Sequence, residues 1–403
     1  MSRLWDKGVP LDERVLRYTA GEDHQLDARL VSYDVRGSIA HAEMLQEQSL
    51  LSVDDCGAIV DGLKQLEADH EAGKWQIRLE DEDIHTALET RLTKLIGEAG
   101  GRVHLGRSRN DQVLTALRLY LLDATDRVTA SVTNICSALQ VLSDEQGDIA
   151  LPGTTHMQHA MPSSVALWSD GFREAFTDAI EGLESAKRRL DKNPLGSAAG
   201  YGTPGLDIDR ESTTKKLGFS VTQSPVTAVQ LSRGKGECGL LFELTLIMQD
   251  LARMATDLLL FYTQEYSYIE LAPEVTTGSS IMPQKRNPDV LELVRGASGT
   301  VQACLDECLL IVAKLPSGFQ RDLQRLKPPV FRAIDLVIDS VDIMAYLISS
   351  VRFRPENISL DQSLFATEVA FNLVTDEGIP FREAYRQVAR GLQECDENDA
   401  ETD

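Results

Sequence analysis

The sequence predicts an all-α fold built around a bundle of long helices, and three observations carry that prediction. Apolar residues recur at three- and four-residue steps, the periodic runs are unusually long, and between them lie segments with loop chemistry, rich in Gly, Pro, Ser and His. The first run, QVLTALRLYLLDATDRVTASVTNICSALQVLSDE from Gln112 to Glu145, contains neither Pro nor Gly, and Val113, Ala116, Leu117, Tyr120 and Leu121 mark its apolar face. A second run extends from Glu237 to Tyr266, a third follows Pro288, and a fourth spans Val330 to Val351. Periodic helices longer than about 25 residues belong to coiled-coil-like bundles. Their apolar surface exceeds one stripe, which points to oligomerisation through the bundle. Gln249, Asp250 and Arg253 interrupt the second run. That excludes a bilayer span, which needs about 20 apolar residues in succession.

Composition narrows the function classes. The chain has 403 residues, 42% hydrophobic and 26% charged, the profile of a folded protein with a sizeable core. Its net charge of -23, from 63 acidic against 40 basic residues, disfavours binding to nucleic acid or anionic membranes. The six cysteines show no CxxC spacing, and the N-terminus has no basic-then-apolar signal pattern, so reduced thiols and a cytoplasmic location are expected. Cys304 and Cys308 share a helix face with no nearby His or third Cys, which fits helix packing rather than a metal site.

The chemistry concentrates between the helices. GRVHLGRSRNDQ (Gly101 to Gln112), LPGTTHMQHAMP (Leu151 to Pro162) and GSSIMPQKRNPDVLE (Gly278 to Glu292) have loop composition, as do PLGSAAGYGTPG and QLSRGKGE. The acidic tail ECDENDAETD is unpatterned and reads as disordered. In the first loop, Asn110 or Asp111 fits a helix cap. Arg107, Ser108 and Arg109 beside it fit an anion site, because guanidinium groups pair with carboxylates in bidentate fashion and a helix N-terminus adds donors. In the second, His156 is open between a structural and an acid/base role. In the third, a glycine, Ser279 and Ser280 precede Lys285 and Arg286, and Pro288 fits the first turn of a helix. That pattern reads either as an anion-binding loop or as a solvated basic turn.

GSSIMPQKRNP, with the other loops in the same chain order, resembles the signature of the fumarase/aspartase superfamily of lyases. HLGRSRNDQV, EDEDIHTALETRL, DVRGSIAHAEML, PLGSAAGYG and FQRDLQ are further similar to argininosuccinate lyases. The resemblance implies reversible cleavage of argininosuccinate to arginine and fumarate, as in arginine biosynthesis, without metal or organic cofactor. It implies Ser279 as the group that takes the Cβ proton, assisted by Lys285, and His156 as general acid paired with Glu292. Substrate binding would fall to His85, Ser108, Arg109, Asn110, Thr155, Ser280, Asn287, Gln324 and Lys327. It further implies a homotetramer whose sites are shared between subunits. The expected organisation is a helical N-terminal region 1–110, a central assembly bundle 111–351 and a reduced C-terminal region 352–403. The chain departs from the pattern at Leu105, His159, Met161 and Phe319; the last stands where a tyrosine is typical. The alternatives are another fumarate-releasing lyase of the superfamily and a non-enzymatic structural homologue.

Overall fold

The computed structural model describes residues 12–400. Its architecture is all-α, and the long helices fall where the periodicity places them. The first run lies inside a helix Arg109–Gln146. The second forms Lys235–Phe261, stopping short of Tyr266 where the Thr263 hydroxyl donates to the Leu260 carbonyl at 2.8 Å. The third is Asp289–Val312, which begins directly after Pro288, and the fourth is Lys327–Ser350.

Another long helix, Val165–Leu190, escapes a reading based on unbroken periodicity because Gly171 and Gly182 interrupt it. Glycine inside a helix costs about 1 kcal/mol relative to alanine. At position 182 a Cβ would lie 2.2 Å from the Glu243 carboxylate, so that flexible side chain would have to move to admit one.

Two expectations are corrected. LPGTTHMQHAMP is not a loop but part of a β-hairpin, Ala150–Thr155 antiparallel to Gln158–Ser164, with an irregularity between Gly153 and Thr154. Pro152 faces Pro162 across the ladder, so neither residue donates a backbone hydrogen bond, and the usual strand signal is lost. The acidic tail is also not wholly unstructured, because the helix Phe381–Ala400 carries its backbone through Ala400. The remainder of the tail lies outside the described residues.

The chain divides into two compact units, one of Met1–Ala130, Ala179–Ile247 and Gly299–Ile338, the other of Ser131–Asp178, Met248–Ser298 and Asp339–Asp403. In the first, helix Val31–Glu47 packs on Val53–Glu71, which packs on Ile84–Ile96. Leu30, Ile59, Leu63, Ile84, Leu114 and Leu121 are fully buried there. Each such side chain contributes about 1.5–3 kcal/mol of transfer free energy. In the second unit, Trp168, Phe261 and Phe353 form an aromatic cluster, and the Trp168 indole donates to Asp257 at 3.0 Å. Cys304 and Cys308 are free and buried, as helix packing requires.

Candidate active site

The predicted residues separate into a group in each unit. In the first unit, Ser108 begins the helix Arg109–Gln146 with reciprocal capping bonds. Its hydroxyl accepts from the Asn110 N–H at 3.3 Å, while its own N–H donates to the Asp111 carboxylate at 3.0 Å. The cap is therefore Ser108, with Asp111 as its reciprocal partner. The cap presents Arg109 and Asn110 at the rim of a cavity of about 190 Å³.

Arg109 donates through Nε to Asp83 at 2.6 Å and has Glu82 at 3.6 Å. Lys327, the first residue of its helix, holds Asp23 at 2.8 Å and Asp27 at 2.6 Å. Gln324 donates to the Thr19 carbonyl at 2.9 Å. Asp23, Asp83, Val113, Arg233, Phe319 and Arg321 complete the lining. Arg107, the other arginine of GRSRND, is buried against the Ser38 hydroxyl at 2.8 Å and is not part of it.

This cavity carries both signs of charge. Burial penalises the Lys327 ammonium, but Asp27 and Asp23 outweigh it and hold its pKa above the ordinary value. Of the two carboxylates, Asp23 gives way: burial pushes it up to about 6 against the pull of Lys327. Arg109 is likewise penalised by burial and held charged by Asp83. Arg233 differs, because it is buried and its Nε has no hydrogen-bond partner among the described residues. Its guanidinium lies 5.6 Å from the centre of the Phe319 ring.

His85 sits in the first turn of the helix Ile84–Ile96. It is 3% exposed, with Nδ1 3.1 Å from Asp34, and does not line the cavity. Burial lowers its pKa, but Asp34 and the neighbouring acids raise it further. Asp27, Asp83 and His85 place ligand atoms within 4.8 Å of one another, a spacing compatible with a cation. Lys327 and Arg109 already occupy those carboxylates.

In the second unit, Thr155 and His156 lie at the hairpin tip, where Thr155 faces Gln158 across the turn. His156 has φ 54 and Met157 φ 62. Two-residue turns with positive φ at both positions favour Asn-Gly. Other residues there store about 1–3 kcal/mol of strain each, a cost that clusters at functional sites.

Ser279 and Ser280 lie on a loop closed at its base by a short ladder, Thr277 against Asn287 and Gly278 against Arg286. The Thr277 hydroxyl donates to Asp289, and Asn287 to the Gly278 carbonyl at 3.4 Å. The Ser279 hydroxyl accepts from the N–H groups of Ile281 at 3.4 Å and Met282 at 3.2 Å. Lys285, Asn287 and Glu292 share an open cavity of about 1270 Å³ with Arg286, Arg295 and Arg354. Among the described residues no hydrogen bond joins His156 to Glu292 or Ser279 to Lys285.

Sequence reading passed over Asp83, Arg233 and Arg321 as cavity residues. Asp83 sits inside EDEDIH, and Arg233 inside the Gly-rich QLSRGKGE, so composition marked the segments without singling out the side chains.

A family model described as lyase matches residues 10–303. The argininosuccinate lyase of Sorangium cellulosum is 43% identical over 400 residues, covering 99% of this chain and 92% of the relative. That of Thermotoga neapolitana is 41% identical over 389 residues, covering 96% and 97%. Among solved structures, EDDS lyase in complex with formate superposes with a TM-score of 0.80 at 24% identity, covering 97% of this chain and 78% of that one. Class II fumarase from Schistosoma mansoni does so with a TM-score of 0.79 at 18% identity, covering 96% and 90%. These structures share the helical-bundle fold. By the family match and by relatives this similar along nearly its whole length, the chain belongs to the argininosuccinate lyase family.

Proposed function

We propose that the chain cleaves L-argininosuccinate to L-arginine and fumarate by reversible β-elimination. Kinship with argininosuccinate lyases supports the reaction, and the mixed-charge cavity is the observation in the structure that carries it. A substrate with an amino-acid end needs an anion for its ammonium and a cation for its carboxylate. Asp23 and Arg233 supply these on one cavity. The volume lies below the roughly 300–1,000 Å³ of complete ligand sites, which suits one end of the substrate. Ser108, Arg109, Asn110, Gln324 and Lys327 shape that end, and His85, held by Asp34, supports the region around it.

In the proposed mechanism the Ser279 oxygen takes the Cβ proton. Two backbone N–H groups directed at that oxygen favour its anionic form, and Lys285 adds positive charge. The electron pair left on carbon first spreads into the adjacent carboxylate, where Ser280, Thr155 and Asn287 hold it, then forms the double bond as the C–N bond breaks. His156 protonates the departing nitrogen, and Glu292 pairs with its imidazole.

Assembly as a homotetramer with sites shared between subunits is part of this reading. Phe242, Leu293, Leu310 and Tyr346 on the long helices are 51%, 74%, 75% and 54% exposed, more apolar surface than a solvated helix face carries. The proposed organisation has 111–351 as the assembly region, flanked by 1–110 and 352–403. No described helix is long and apolar enough to cross a membrane, and the proposed location is the cytoplasm.

Adding argininosuccinate to the purified protein tests the function. The ultraviolet absorbance of fumarate should rise with wild type and stay flat with Ser279→Ala. A folded wild type that releases no fumarate would overturn the reading.

A further inference from the structure

We propose that Tyr201 supplies the substrate-binding hydroxyl that Phe319 does not carry. The inference rests on the functional reading above and refines the same site. Phe319 lines the cavity with a ring that offers no hydrogen-bond donor, at a position where a tyrosine is typical. A hydroxyl is nevertheless delivered beside it from another segment. Tyr201 stands between Gly200 and Gly202, with φ of +101 and +77. The N–H groups of both glycines donate to the Ser197 carbonyl at 2.9 Å. This tight turn therefore fixes the tyrosine backbone from either side.

The turn is also built onto the site. Asp111, whose other oxygen caps the Arg109 helix, accepts from the N–H groups of Gly196 at 2.9 Å and Ala198 at 2.8 Å. The segment carrying Tyr201 is thus tied to the one carrying Arg109 and Asn110. At the far end of the side chain, a Cβ added to Gly318 would lie 3.1 Å from the Tyr201 hydroxyl. Gly318 precedes Phe319 directly, and its φ of +85 suits glycine alone. The bare position leaves room for the hydroxyl at Gly318, one residue before Phe319. Tyr201 is 67% exposed, and its hydroxyl has no hydrogen-bond partner among the described residues. Tyr201 does not itself line the cavity, and its hydroxyl is free to donate to a ligand carboxylate that extends past Phe319.

Tyr201→Phe, Phe319→Tyr and the double variant, each assayed as the assembled enzyme by fumarate release, test this. Tyr201→Phe should raise KM about tenfold and keep kcat within about twofold, the signature of lost uniform binding. In the double variant, Phe319→Tyr should restore KM. A merely structural Tyr201 would not be rescued from position 319. Unchanged KM in Tyr201→Phe, or a double variant no better than Tyr201→Phe, would overturn the inference while leaving an active wild type and its function intact. An inactive wild type would overturn both.

Discussion

The proposed binding group and the proposed catalytic group of this chain are built in opposite ways. Around the first-unit cavity, Lys327 is buried and Arg109 half-buried, and each already holds acidic partners: Asp23 and Asp27 for one, Asp83 and Glu82 for the other. In the second unit His156, Ser280, Lys285 and Glu292 are exposed, on a strained hairpin tip, a loop and the helix that follows it. The first group is pre-organised before any ligand arrives, which lowers the ordering cost of binding. The second, on the proposed roles, consists of reacting groups held at the backbone and open at the side chain. The proposed shared site would complete it with substrate and neighbouring subunits.

The largest effects should break the second group alone. Ser279→Ala and His156→Asn should each lower kcat by about 10²–10⁴, the usual range for proton-transfer groups, with circular dichroism and assembly unchanged. Mixing and reassembling the two inactive proteins should recover measurable turnover, because some sites would then carry neither lesion. Reassembled mixtures with no activity would place both residues on one chain's contribution to the site.

Breaking the first group should instead cost stability. Lys327→Met leaves Asp27 buried without its cation, a change worth about 3–5 kcal/mol in similar cases, and chemical denaturation should show it. A loss below about 1 kcal/mol would mean that the pair is solvated rather than pre-organised.

A pH series sharpens the contrast. Burial raises Asp23 to about 6 in the folded chain from 3.8. Lowering the pH from about 7 to about 5 removes roughly nine-tenths of its carboxylate, so KM should rise about tenfold, with Asp23→Asn insensitive over that interval. The stability term runs the other way. A raised carboxyl pKa stabilises the fold below 3.8 and loses that contribution as pH rises through about 6, so Asp23 protonation cannot lower Tm. A KM rise together with a Tm that holds would thus separate ligand binding from unfolding. The smallest effect belongs to the loop base: Thr277→Val removes the hydroxyl that donates to Asp289 and should change kcat by a few-fold, consistent with about 0.5–1.5 kcal/mol for one hydrogen bond.

These differences explain what the sequence made legible. The helices Arg109–Gln146 and Asp289–Val312 were readable because periodicity and a starting proline are local signals. The hairpin was not, because Pro152 opposite Pro162 hides a strand pair inside loop-like composition. GRSRND marked a site by residue type, which treats its two arginines alike; the family resemblance singled out Arg109, which lines the cavity, while Arg107 is buried against Ser38. The acids that hold Lys327 were hidden for a topological reason: Asp27 lies 300 residues away in the chain. His85 matched a binding segment, but only its contact with Asp34 reveals a supporting position. Tyr201 shows the same limit, since its relation to Phe319 exists only through the folded contact with Gly318.

The most direct test of the division between binding and chemistry is a calorimetric titration of argininosuccinate into the assembled Ser279→Ala protein, with fumarate assayed in the same sample. Wild-type-like affinity without fumarate is the predicted result, since the paired cavity is untouched and only the proton acceptor is gone. Fumarate released at the wild-type rate would contradict the role of Ser279. Loss of binding would contradict the separation of the two groups.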